Sequence, residues 1–303
     1  GAIVFCGKMQ SSIVFDVPRS TVRKPRPMAL TSPYFRNVPQ LTAASTNSPW
    51  LGSGSSGHGV HLVQFGLIDL GFPMPKSVGG TGLSPDGVYG SETVQKVKEF
   101  QRSTHGGAPI KDDGAVGRNT MAKLDRALAS FTHKVRVHIF VVVTPDAPVA
   151  TAETTAKELY GHYGINFEVA SIQSLALTAA EETEFSQHGL LFARMKELAE
   201  AHTSVRIRPN EIMVFYIRRF NPDTDLALSK ANHTGAVTRI KKNADASTLA
   251  HEVAHNLIDS PRGVSEHVAH KQNILATLPR TTPFVLSFEQ IQQMRRNIRL
   301  LRA

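Results

Sequence analysis

The sequence predicts an α+β protein: a small three-helix unit followed by a mixed sheet crossed by a histidine-bearing helix. Three observations predict it. The spacing Asp-Gly-x-x-Gly-x-x-Thr occurs twice, from Asp86 to Thr93 and from Asp113 to Thr120. Runs rich in β-branched and aromatic residues at 134–143 and 211–217 are separated by stretches of helical character. Finally, His251-Glu252-Val253-Ala254-His255 lies within a stretch, 244–258, that reads as a helix.

Composition narrows the field. A chain of 303 residues has room for about two domains, each with its own core. Hydrophobic residues are 41% and charged residues 19%, a balance ordinary for a globular protein. No apolar run reaches the roughly 18 residues of a membrane span, so no membrane partner is expected. The formal net charge of +9 favours polyanions: nucleic acid, anionic lipid or anionic cell wall. No nucleic-acid motif accompanies the charge, and nucleic acid is not expected as a partner. Cys6 is the single cysteine, which leaves no intrachain disulfide. Residues 1–20 lack a basic segment followed by a long apolar core, so no secretory signal is expected there.

In chain order, residues 1–57 carry Pro25, Pro27, Pro33, Pro39 and Pro49 and end in the Gly/Ser-rich run Gly52–Gly57. Their composition predicts an extended arm and a flexible linker. Residues 58–130 form the predicted three-helix unit. A helix over 60–72 ends at Gly71. Each Asp-Gly pair then makes a tight turn, and Ser91 and Asn119 start helices that bury Val94, Val97 and Phe100, or Met121 and Leu124. Residues 131–303 form the second predicted domain. Strands are expected at 134–143, 165–170, 211–217 and 235–238; helices are expected at 151–163, 179–202, 244–258 and 287–300. Ser287 and Gln290 stand at the spacing of a capping box.

The first unit resembles the peptidoglycan-binding domain type 1 family. The resemblance rests on Val63-Gln64, Leu67, Leu70-Gly71-Phe72, Asp86-Gly87-Val88-Tyr89-Gly90, Thr93, Val97, Phe100-Gln101, Asp113-Gly114, Val116-Gly117 and Thr120. It departs in the insertion at 75–81. It implies binding to bacterial cell-wall muropeptides. A related pro-segment in matrix metalloproteases blocks zinc through a thiol, but Cys6-Gly7 matches that motif poorly.

The helix motif carries the chemistry. Histidines four apart project from one helical face, so both imidazoles reach one ion, and the intervening Glu252 can activate a metal-bound water. A catalytic zinc needs a third protein ligand and an open position. His251-Glu252-x-x-His255, a break at Pro261 and Gly263, and then Glu266-His267, His270 and Asn273-Ile274-Leu275 resemble short metzincin-like zincins. That resemblance implies a zincin-like mixed sheet, Zn2+, and His267 as third ligand, six residues before Asn273. His270 and Asp259 are the alternatives. Leu275 stands where that group places the methionine of a turn under the metal. Leucine can fill the same apolar floor. Tyr216, on a strand leading toward the site, is a further candidate for stabilising an oxyanion.

The expected function is zinc-dependent hydrolysis of an amide bond in cell-wall peptide or wall-associated protein, with Glu252 as general base. The expected setting is secretion or delivery to the periplasm or cell wall. An antibacterial effector with an immunity or secretion partner fits it. The alternatives are a general secreted protease with a regulatory N-terminal module and a non-catalytic wall-binding protein with a structural zinc.

Overall fold

The computed structural model describes residues 29–79, 83–189, 192–223, 225–232, 235–258, 267–276, 280–297, 299 and 301–302. Its first helices are α1 (Pro39–Ala44), α2 (His58–Asp69), the short α3 (Pro75–Val78) inside the insertion, α4 (Ser91–Arg102) and α5 (Arg118–Ala127). The two sequence repeats build one loop twice. Buried Gln64 of α2 directs its amide at Asp86 Oδ1 (2.7 Å), Val88 O (3.0 Å) and Thr93 Oγ1 (3.1 Å), and its carbonyl accepts from Gly87 N–H (2.9 Å). Buried Gln101 of α4 repeats the set with Asp113 Oδ1 (3.1 Å), Ala115 O (2.9 Å), Thr120 Oγ1 (3.0 Å) and Gly114 N–H (2.9 Å). Gly87 and Gly114 take φ of 68° and 73°, which explains the glycine of each Asp-Gly pair.

The arm and linker expected over 1–57 are corrected for residues 29–57. Tyr34, Phe35, Val38, Leu41 and Ala44 are buried, and the Asp125 carboxylate of α5 accepts from the backbone N–H of Thr31 and Ser32. Composition misled here. Prolines and serines suggested a solvated strap, whereas the apolar side chains between them cover the helical unit. The glycines of 52–57 serve geometry: Leu51 bridges Val116, Ser56 bridges Val88, and Gly57 takes φ of 115°. Residues 1–28, with Cys6, lie outside the described residues.

The rest of the chain folds as β1 (His133–Val141), α6 (Val149–Gly161), β2 (Ile165–Ser174), α7 (Ala179–Ser186), α8 (Phe192–His202), β3 (Ile212–Ile217), β4 (Ala227–Asn232), β5 (Gly235–Lys241), α9 (Thr248–Leu257), α10 (Phe288–Arg296) and β6 (Leu301–Arg302). The single helix expected over 179–202 is two helices, α7 and α8. The sheet runs β2-β1-β3-β5-β4, with β6 also paired to β1. β1, β2, β3 and β5 are parallel; β4 is an antiparallel edge on β5, so the sheet is mixed. Central β3 is buried along its whole length, as a continuous apolar run demands. Its side chains alternate: Ile212, Val214 and Tyr216 join one core, and Met213, Phe215 and Ile217 the other. The first core holds α6, α9 and the N-terminal helices; the second is closed by α7 and α8. The histidine-bearing helix therefore lies on the sheet face that the N-terminal unit also covers.

That unit docks through α2. The Asp69 carboxylate receives both Arg295 guanidinium nitrogens at 2.6 Å and the Tyr34 hydroxyl at 2.8 Å. Phe65 packs edge-on against Tyr163 at 4.8 Å between ring centres. The Tyr163 hydroxyl meets His61 Nε2 at 3.0 Å and accepts from Leu286 N–H at 2.8 Å.

Candidate metal centre

α9 is buried on nearly every side, through Leu249, Ala250, Val253, Ala254 and Leu257. Two extra bonds to its carbonyls fix its rotation. The Tyr160 hydroxyl donates to Ala250 O (2.8 Å), and the Ser229 hydroxyl of β4 donates to Glu252 O (3.0 Å). Asn256 also donates to Thr238 Oγ1 (2.7 Å) on β5. With the helix pinned between α6 and the β4 edge, His251, Glu252 and His255 have one direction left.

The third histidine comes from a loop folded back beneath the helix end. Val268 N–H donates to Leu275 O (3.1 Å), Leu275 N–H to Asn273 Oδ1 (2.9 Å), and Ile274 N–H to Val285 O (2.9 Å). Asn273 in turn donates to Gln290 Oε1 (2.8 Å), whose residue belongs to the capping box at the start of α10. This loop carries His267 at one end and the fully buried Leu275 at the other.

The Nε2 atoms of His251, His255 and His267 converge. Their separations are 3.0 Å (255 to 251), 3.2 Å (255 to 267) and 3.3 Å (267 to 251). Nitrogens about 2.0–2.1 Å from a tetrahedral zinc stand about 3.3–3.4 Å apart, so the three donors fit such an ion. His251 Nδ1 sits 2.6 Å from Ile274 O. That bond places the proton on Nδ1 and leaves the Nε2 lone pair facing its neighbours. Burial pushes His251 down to about 3, so the imidazole is neutral. Converging lone pairs repel unless a cation sits among them; the arrangement fits a metal ion. The group grades from buried His251 through His255 to exposed His267, so it opens toward solvent.

Glu252 stands beside this group, its Oε1 3.8 Å from His251 Nε2. It is buried, and desolvation raises its carboxyl above the ordinary carboxylate range despite the Ser229 hydroxyl and the charges of His255 and Arg280. Sequence reasoning missed Arg280. Its side chain is only 4% exposed, 3.4 Å from Ile274 O and 4.0 Å from Asp245 Oδ1, and its charge acts on both His251 and Glu252. A lone arginine after the site loop carries no sequence signal of that position.

The other candidates fall elsewhere. His270 is not among the converging donors; its charge acts instead on His61 at the junction with α2. Asp259 and Glu266 lie outside the described residues. Tyr216 is a core residue of β3, where burial raises its phenol.

Comparison with known proteins adds the following. Residues 56–124 match the family model of a putative peptidoglycan binding domain. No curated protein matches the sequence. Metalloproteinase-II from Bacteroides fragilis is similar in structure, with TM-score 0.40 and 14% identity, over 55% of this chain and 53% of that chain. Archaemetzincin from Methanopyrus kandleri is similar with TM-score 0.34 and 11% identity, over 55% of this chain and 96% of that chain. The chain thus spans about half the length of metalloproteinase-II.

Proposed function

We propose that this chain is a zinc metallopeptidase directed to bacterial peptidoglycan, cleaving an amide bond in cell-wall peptide or wall-associated protein. The observation that carries it is the convergence of three Nε2 atoms within 3.3 Å of one another beside a buried carboxylate. His251, His255 and His267 would hold the ion. Zinc held there would supply Lewis acidity toward a bound water and a scissile carbonyl. Glu252 takes the proton of the attacking water on its carboxylate and returns it to the departing amine. Among the described residues three donors converge, and an ion held by three protein ligands would keep a position open, which separates a catalytic from a closed structural site.

The match at 56–124 supports a wall-docking role for the N-terminal unit, with residues 131–303 as the catalytic part. Docking raises the local concentration of substrate at the catalytic face. A substrate in the wall lies outside the cytoplasm, which suits a secreted enzyme or an antibacterial effector.

The test is Glu252→Gln. Bound zinc stays near one per chain, and hydrolysis of purified sacculi falls by roughly 10²–10⁴-fold. Soluble muropeptides released by the wild-type chain support the wall substrate; cleavage of denatured protein alone would move the reading to a general protease. An undiminished Glu252→Gln enzyme removes the carboxylate from the mechanism.

A further inference from the structure

The segment before α2 supplies one wall of a cavity whose other wall is the second repeat loop, so the cavity spans the start of the family match. Trp50 is the only tryptophan of the chain and is 55% exposed. It is held, not loose. Leu51 and Val116 exchange both backbone hydrogen bonds, at 3.0 and 2.8 Å. Asn47 Oδ1 accepts from Arg118 N–H at 2.7 Å. A Cβ at Gly52 would collide with the Trp50 ring, and one at Gly117 with Asn47 Oδ1, so both glycines are there to let this segment close. One side of the indole rests on the Gly52 backbone, and the ring lines a cavity of about 640 Å³.

Lys111, Asp113, Arg118 and Asn119 line the same cavity. Asp113 is engaged by Gln101 and by Ala115 N–H within the second repeat loop. The Arg118 guanidinium and the Asn119 amide have no partner among the described residues. The volume lies within the range of small-ligand sites. A preorganised flat aromatic surface, ringed by an unpaired guanidinium and an unpaired amide, suits a ligand with one C–H face and a rim of hydroxyl and amide groups. A pyranose of an N-acetylated amino sugar has that shape.

We propose that this cavity binds the glycan strand of the wall, with one sugar ring stacked on Trp50 and its polar rim on Arg118 and Asn119. This rests on the wall-docking reading above and locates it in residues that begin before the matched module.

The single tryptophan makes the test direct. The full chain is titrated with an N-acetylglucosamine tetramer while tryptophan emission is followed, and its pelleting with purified sacculi on ice is measured in parallel. The expected result is a saturable emission change with the tetramer. Trp50→Ala should bind sacculi roughly tenfold more weakly, with Trp50→Phe between the two, and with zinc content and urea midpoint as in the wild-type chain. Emission unmoved by the tetramer overturns the site, as does sacculus binding unaltered by Trp50→Ala. Emission that answers to free stem peptide but not to the tetramer overturns the glycan assignment. A wild-type chain that does not pellet at all overturns wall docking itself, while the tetramer titration still decides the cavity.

Discussion

His251 holds two positions at once. Its Nδ1 is bonded to Ile274 O in the loop, and its Nε2 faces His255 and His267. The loop that orients one donor therefore also carries His267, the histidine proposed as the third ligand. His267→Ala should lower zinc affinity by more than about 100-fold, since even losing a supporting bond costs 10- to 100-fold. His270→Ala should leave zinc affinity unaltered. Titration with a competing chelator separates them, and an equal loss in both variants would refute the assignment. His251, Glu252 and His255 were legible in the sequence because one helical turn fixes their mutual placement. His267 was reached only through resemblance, since a loop has no periodicity to place it. Ile274 O and Arg280 had no signal at all, because their roles arise from the return of the chain beneath α9.

At the level of elements, the repeat gives the clearest case of sequence becoming structure. Its Asp, Gly and Thr positions were readable as turns, but the glutamine that completes each loop sits on the preceding helix, outside the repeated spacing. Gln64 and Gln101 each satisfy a backbone N–H and carbonyl, an aspartate and a threonine. Replacing either with alanine strands buried groups on the loop. Gln64→Ala and Gln101→Ala should each cost about 2–3 kcal/mol, seen as a lower urea midpoint at unchanged slope. A loss under about 0.5 kcal/mol in both would show that the loops hold without the clamp. The strands β1, β3 and β5 were legible for a different reason: they are central, and burial on both faces demands apolar β-branched runs. Edge strand β4, Ala-Leu-Ser-Lys-Ala-Asn, is half polar and was not foreseen. Yet it supplies Ser229, which holds α9 by the Glu252 carbonyl. Segment 29–57 reads as an arm for the opposite reason, since its proline and serine content outweighs the apolar side chains, Tyr34 to Leu51, that the fold buries.

For the molecule as a whole, the junction between the N-terminal helices and the sheet is a single core continuous through Phe65, Tyr163 and Leu286. At its centre lies His61, fully buried. Its Nδ1 meets Pro85 O at 2.8 Å and its Nε2 the Tyr163 hydroxyl. With Leu286 N–H already donating to that hydroxyl, the satisfied arrangement has Nδ1–H as donor and Nε2 as acceptor: the neutral ring. Burial lowers His61 from 6.5 to about 4; Pro85 O and Asp86 oppose the shift, and His162 and His270 add to it. The native state thus takes up this proton less readily than the unfolded chain. The stabilisation is complete above the unfolded value near 6.5, and it is lost as pH falls from there through about 4. The loss attributable to His61 should reach about 2 kcal/mol at pH 5 and about 3 kcal/mol at pH 4. Urea unfolding of the wild-type chain and His61→Gln, both in chelator so that the metal centre contributes equally, isolates it. Glutamine can still donate to Pro85 O and accept from Tyr163 but does not titrate, so its stability should fall less steeply with acid by those amounts. Parallel pH curves for the two proteins would mean that His61 is not the group through which acid loosens this junction.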